Sequence, residues 1–180
     1  GDPLSLSDWQ RAEPDAIMII NTNFFSPDNT ILGLLISDGQ IFGQSYTNRG
    51  GTFAVQNGVA AVRANRTQPY QGEPLEQAVQ AFPLLVENGQ AAYFNQGDTE
   101  INRRTLIAQD TEGRILIMAT PFLGLSLTDL SAYLPTTDLN IVTAFNLDGG
   151  GSTMMAVSDM DYSIPSFDRV PAILAVYPRE

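Results

Sequence analysis

"ILGLLISDGQIFGQSY", residues 31–46, decides how the chain is read. Two apolar runs flank Asp38-Gly39, and a two-residue Asp-Gly link between such runs is the strongest short-range signal for an antiparallel hairpin. The device recurs at Asn57-Gly58 in "TFAVQNGVAAVRA" and at Asn88-Gly89 in "PLLVENGQAAYF". "RTLIAQDTEGRILIMAT" repeats the pattern with a longer turn ending in Gly113. Outward from these hairpins, "AIMIIN" (16–21) reads as a buried strand and "PAILAVY" (171–177) as a closing one. "NLDGGGSTMMAVS" (146–158) reads as a further strand–turn–strand.

Two segments carry helical spacing instead. "EPLEQAVQAF" (73–82) places Pro74 at a first helical position, and "LSLTDLSAYL" (125–134) offers Ser126 as N-cap with Asp129 three residues on and Pro135 as the stop. The expected fold is α+β: a mostly antiparallel β-sheet built from hairpins with two or more flanking helices, one domain over residues 1–180. "NQGDTEIN" (95–102) is the most loop-like stretch, and no internal repeat is present.

The composition restricts the chemistry. Of 180 residues 43% are hydrophobic and 16% charged, ordinary values for a globular chain. No apolar run approaches the ~20 residues of a membrane span. Cys and His are absent and all nine basic residues are arginine, so acid–base chemistry falls to Asp, Glu or Tyr. A net charge of −11 opposes a nucleic-acid partner and suits a small or neutral ligand. The opening "GDPLSLSDW" carries no signal peptide, and a leader removed before residue 1 is expected.

Candidate site residues concentrate in "IVTAFNLDGGGSTMMAVS" (141–158). Asp148 follows an apolar run and precedes Gly149, Gly150 and Gly151, then Ser152 and Thr153. One glycine suffices for a hairpin, and three carry a large ordering entropy, so the turn reads as a pocket floor whose N–H groups converge on an anion. With no Lys in the chain it is not a nucleotide-binding P-loop. In "IINTNFFSPD" (19–28), Asn21 and Asn23 end a strand before Phe24-Phe25. They read either as turn caps or as hydrogen-bond donors at a pocket mouth. Arg103 and Arg104 in "INRRTLIAQD" enter a strand, so alternation sends one to solvent and one inward. The inward fork suits a carboxylate or phosphate, while the competing reading is an edge charge that opposes aggregation. Arg63 and Arg66 receive no role. "DMDYS" (159–163) lacks the spacing of a calcium loop, and no metal ligand is assigned.

In order, "NTNFF" (21–25), "GLLISDGQ" (33–40), "PLLVENGQ" (83–90), "RTLIAQDTEGRILIM" (104–118), "LGLSLTDLSAYL" (123–134), "NLDGGGST" (146–153) and "RVPAILAVY" (169–177) resemble the phosphodiester glycosidase family over about residues 9–177. The chain departs from the family pattern at Thr22 and Asn23, where the family usually carries glycine. The resemblance implies a hydrolase that cleaves a sugar-1-phosphodiester, or a related glycosidic link, at the anomeric carbon. Carried over onto matching positions, Asp148 is expected as nucleophile or general base and Arg104 as the phosphate ligand. Asn21, Asn23, Thr105, Asn146, Gly149, Gly150, Gly151 and Ser152 are expected to bind sugar or phosphate. A glycosyl transition state is handled by carboxylates and needs no His. No cofactor is expected, a divalent cation being the lesser reading, and the partner is a carbohydrate or sugar phosphate. The family's habit implies a secreted, extracellular or periplasmic bacterial protein. The alternative is a non-catalytic glycan- or sugar-phosphate-binding module of the bacterial envelope.

Overall fold

A computed structural model describes residues 2–179. In chain order the elements are α1 (Leu6–Ala12), β1 (Met18–Asn21), β2 (Leu35–Ser37), β3 (Gln40–Phe42), β4 (Gly51–Gln56) and β5 (Val59–Ala64). Next come β6 (Gln77–Ala81), β7 (Leu84–Glu87), β8 (Gln90–Ala91), β9 (Thr105–Asp110) and β10 (Ile115–Ala119). The chain closes with α2 (Leu127–Tyr133), β11 (Ile141–Asn146), β12 (Met155–Val157), β13 (Tyr162–Ile164) and β14 (Ile173–Val176).

The strands form three antiparallel sheets, ordered β13-β12-β1-β14, β10-β9-β11-β7-β8 and β3-β2-β6-β4-β5. Their inner faces share one core in which Ile20, Met155 and Ile164 of the first sheet meet Ile107 and Phe145 of the second and Phe53, Val62 and Val79 of the third. The hairpin reading is met at all three dipeptides. Asp38-Gly39, Asn57-Gly58 and Asn88-Gly89 all hold both residues at positive φ, as a primed turn demands.

Helix α2 stands where its cap and spacing place it. The Ser126 hydroxyl accepts from the Asp129 N–H at 3.0 Å, Leu130 and Leu134 pack on Leu85, Leu106 and Ala144, and a short 3₁₀ turn at Leu134–Thr136 takes up Pro135. A second helix forms elsewhere than expected. Ser5 and Asp8 make a reciprocal capping box that starts α1, which lays Leu6 against Ile19, Met154 and Val170.

Residues 73–82 are not a helix. Gln77–Ala81 is β6, the central strand of the third sheet, hydrogen-bonded to β2 on one side and β4 on the other. Buried Gln80 binds Tyr46, Ser45 and Thr52 through its amide. Two ladders and a fully engaged amide outweigh a weak local propensity.

The 146–158 segment also differs from a hairpin. β11 lies in the second sheet and β12 in the first, so the glycine turn between them carries the chain across the gap between sheets. No described helix is long and apolar enough to cross a membrane.

Candidate active site

Three strand ends converge at this crossing: Asn21 closes β1, Thr105 opens β9 and Asn146 closes β11. Fully buried Asn21 knots them together. Its amide nitrogen donates to the Asp148 carbonyl at 2.6 Å, and its amide oxygen accepts from the Thr105 hydroxyl at 2.7 Å and the Met154 N–H at 3.0 Å. The Asp148 N–H donates to the Thr22 carbonyl at 2.9 Å, and the Leu147 N–H to that of Thr105 at 2.8 Å. Asn21 and Thr105 thus lie beneath the turn, facing protein partners. Asn23 is further removed: its amide donates to the carbonyls of Leu32, Leu34 and Gln80, tying the chain just beyond β1 to the third sheet.

Each of the three glycines answers a separate steric demand. A Cβ on Gly149 would stand 2.8 Å from the Arg103 carbonyl oxygen, and one on Gly151 would stand 2.0 Å from a carboxylate oxygen of Asp168. Gly150 has φ +60°, a left-handed conformation that other residues adopt at a cost, and it faces open space. The expected convergence of N–H groups on an external anion is not what forms at the first two positions. The Gly149 N–H donates to the Asp148 carboxylate at 2.9 Å and the Gly150 N–H to the Arg103 carbonyl at 2.8 Å.

The arginine pair divides the work. Each is 8% exposed, so the expectation that one faces solvent is corrected. Both precede the first strand residue, Thr105, and ladder alternation does not govern them. Arg103 clamps the turn, donating to the carbonyls of Gly150 (3.2 Å), Gly151 (3.4 Å) and Pro165 (2.8 Å) with its guanidinium 4.1 Å from the Phe167 ring centre. Arg104 donates to the carbonyls of Leu125 (2.9 Å) and Glu100 (3.0 Å) and presents its remaining edge to a cavity. Burial pulls the Arg104 guanidinium down, and the nearby Asp98 and Glu100 carboxylates pull it back up. Carbonyl partners offset much of the desolvation of both cations.

That cavity, about 400 Å³, brings Asp148, Arg104, Asn146, Gly149 and Gly150 together beneath an aromatic wall of Phe24, Phe82 and Tyr93. Phe24 and Phe82 stack at 4.8 Å between ring centres. Asn146 is 2% exposed; its nitrogen donates to the carbonyls of Phe82 and Leu147, while its amide oxygen has no partner among the described residues. An unpaired buried acceptor beside a cavity is costly unless a ligand donor meets it. Ser152 is buried in the turn, and its hydroxyl favours the ionised form of the Asp148 carboxyl. A larger cavity of about 620 Å³ opens between β2, β6 and β14, but its charged side chains are Glu13 and Asp38 and no candidate residue reaches it.

Asp148 itself is electrostatically primed. Burial pushes its carboxyl above the usual aspartate range, the Asp168 carboxylate adds to the rise, and hydrogen bonds from Ser152 and the Gly149 N–H hold it partly in check. Asp168 is the second acid that motif reading missed: it lies 17 residues beyond Gly151, and its own N–H (3.0 Å) and that of Phe167 (2.8 Å), both donating to the Gly151 carbonyl, bring it to the turn. The Phe82–Pro83 and Tyr93 wall also escaped notice, since nothing local distinguishes those residues from core. Among the described residues no group of three or more Asp or Glu is arranged to hold a metal ion.

No curated protein matches the chain in sequence. Among solved structures it is similar to the zebrafish N-acetylglucosamine-1-phosphodiester alpha-N-acetylglucosaminidase catalytic domain auto-inhibited by pro-peptide, with a TM-score of 0.78 at 20% identity over 99% of this chain and 68% of that one. It is also similar to a hypothetical protein from Synechocystis, with a TM-score of 0.63 at 18% identity over 97% of this chain and 53% of that one. At such identities these likenesses establish the fold. The family profile of the phosphodiester glycosidases matches residues 14–177, and the chain belongs to that family.

Proposed function

We propose that this chain hydrolyses a sugar-1-phosphodiester, breaking the bond between the anomeric carbon and the phosphate oxygen. The observation that carries the reading is the meeting of a desolvated Asp148 carboxyl with the open edge of Arg104 in one aromatic-walled cavity. Family membership supplies the reaction class, a glycosidase-type hydrolase.

In this reading Arg104 holds the phosphate oxygens with its planar fork and takes up the charge that develops as the bond breaks. Asp148, its basicity raised by burial, takes the proton from the attacking water or attacks the anomeric carbon itself. A phosphate monoester leaves without prior protonation, so one strong carboxylate suffices at the reacting carbon. Asn146 lines the cavity beside Asp148, and Phe24, Phe82 and Tyr93 cover the apolar face of the sugar ring. Asn21, Thr105, Ser152 and Arg103 are positioning residues that fix the Asp148 turn. No cofactor is assigned; the arginine supplies the positive charge that an overall −11 chain needs to attract an anion.

The test is product release from a panel of sugar-1-phosphodiesters by wild type and Asp148→Asn, each with and without chelator. The expected result is a loss of about 10²–10⁴-fold in the variant, as for removal of a general base, with no response to chelator. Full activity in a folded Asp148→Asn variant contradicts the role of Asp148. Saturable sugar binding with no product from any substrate supports the binding-module reading instead.

A further inference from the structure

A second cavity, about 310 Å³, shares the Phe82, Pro83 and Tyr93 wall with the catalytic one and is lined on its far side by Asn48, Arg49 and Arg66. The two arginines differ. Arg66 is neutralised by Glu87 at 2.6 Å. Arg49 pairs with no carboxylate among the described residues and instead lies flat against two rings, 4.4 Å from the Tyr46 centre and 4.3 Å from that of Phe82. Arg11, Arg63, Arg114 and Arg169 are held by carboxylates and Arg103 and Arg104 by carbonyls. Arg49 is exposed to solvent, so its guanidinium, with no carboxylate beside it and the candidate cavity adjacent, is open to an anion from solution.

The segment carrying Arg49 is built rather than loose. Its carbonyl accepts from the Asn65 amide at 2.8 Å, and Gln80, itself fully buried, donates to the Tyr46 carbonyl at 3.0 Å and accepts the Tyr46 N–H. Gly50, next in the chain, has φ +70° and lies so close to β6 that a Cβ would fall 1.9 Å from the Ala81 carbonyl oxygen. Three hydrogen bonds and the close seat of Gly50 fix the segment, and two ring faces lie against the cation, before any ligand arrives, which reduces the ordering cost of binding. Phe82, Pro83 and Tyr93 line both cavities, so Arg104 and Arg49 stand in adjoining cavities that share one wall.

We infer that Arg49 forms a second anion subsite, across the Phe82–Pro83 and Tyr93 wall from Arg104, that takes an acidic group carried by the aglycone of the substrate. The inference rests on the glycosidase reading and narrows it to substrates with a second phosphate or carboxylate beyond the scissile phosphodiester.

Two probes separate the claims: N-acetylglucosamine 1-(methyl phosphate), with one anionic group, and N-acetylglucosamine 1-(2-phosphoethyl phosphate), with a second phosphate. Wild type is expected to show a KM at least about tenfold lower for the second probe, the effect of one charge-assisted contact, and the preference shrinks with added salt. Arg49→Gln removes the preference and leaves the KM for the methyl probe unchanged; Arg49→Lys, which keeps the charge, retains part of it. Turnover of both probes with equal KM in wild type overturns the subsite and leaves the glycosidase reading intact. An Arg49→Gln variant that weakens both probes equally marks Arg49 as a clamp for the wall and likewise overturns the subsite. Absence of turnover and binding for both overturns the glycosidase reading and the subsite with it.

Discussion

The turn at Asn57-Gly58 and the turn at Asp148–Ser152 both bring a chain from one strand to the next, and they are made in opposite ways. The first joins β4 to β5, neighbours in one sheet, and nothing lies within 4 Å of where a Gly58 Cβ would stand. Its geometry is dictated by its own two residues and their positive φ. The second crosses between sheets and is held by groups far away in sequence: the Asn21 amide, the Arg103 carbonyl and guanidinium, and the Asp168 and Phe167 N–H groups. A turn set by local conformation needs little support. A turn that must present a half-buried carboxylate at a fixed place is over-determined, and its glycines supply room for the supports.

Substitution at the two turns breaks this comparison most sharply. Gly149→Ala drives a methyl group against the Arg103 carbonyl, a backbone atom that cannot swing away. It is expected to destabilise the fold by roughly 1–3 kcal/mol, as overpacking does. By moving Asp148 it should also lower kcat by about 10²-fold. Thermal unfolding and product release measure the two effects. An active, fully stable Gly149→Ala variant contradicts the over-determined turn.

The next effect is set by pH. Burial raises the Asp148 pKa, so in the folded chain this carboxyl binds its proton more tightly than in the unfolded one. Its contribution to stability therefore falls as pH rises from the ordinary aspartate value through the raised one, and is level above it. Asp148→Asn removes that fall, so unfolding curves of variant and wild type should diverge with rising pH, the variant being the more stable. The same ionisation sets the acid limb of activity, which is lost as pH drops through the raised value. Parallel stability–pH profiles for the two proteins would contradict the burial of this charge.

Gly58→Ala gives the smallest expected change. An alanine at positive φ costs roughly 1–2 kcal/mol, and activity is unaffected because no site residue touches the hairpin. Activity loss at Gly58 comparable with that at Gly149 would erase the distinction between the turns.

The same division explains how much was legible in the sequence. Asp38-Gly39, Asn57-Gly58, Asn88-Gly89 and the Ser126 cap are short-range devices, and each stands in the structure where it was read. Residues 73–82 misled because Leu75, Ala78, Val79 and Phe82 fit a helical face, although Pro74 and Pro83 bracket a span short for a helix and normal for a strand. Helix α1 was readable from Ser5 and Asp8 as a capping box. Among site residues, the motif around Asp148 and the inward use of Arg104 were legible because their residue types are chemically narrow. The burial of Arg103, the approach of Asp168 and the parked cation of Arg49 were not, since each depends on contacts between segments 17 or more residues apart or on ring faces that no spacing rule encodes.

The central claim is that the bond broken lies between the anomeric carbon and oxygen, and its most direct test is where the oxygen of water goes. Hydrolysis of N-acetylglucosamine 1-(methyl phosphate) by the wild-type chain in ¹⁸O-labelled water, with the released methyl phosphate read by ³¹P NMR, isolates that point. The account predicts methyl phosphate free of label, the solvent oxygen having gone to the sugar. Label in the methyl phosphate would mean attack at phosphorus, and the roles given to Asp148 and Arg104 would be wrong.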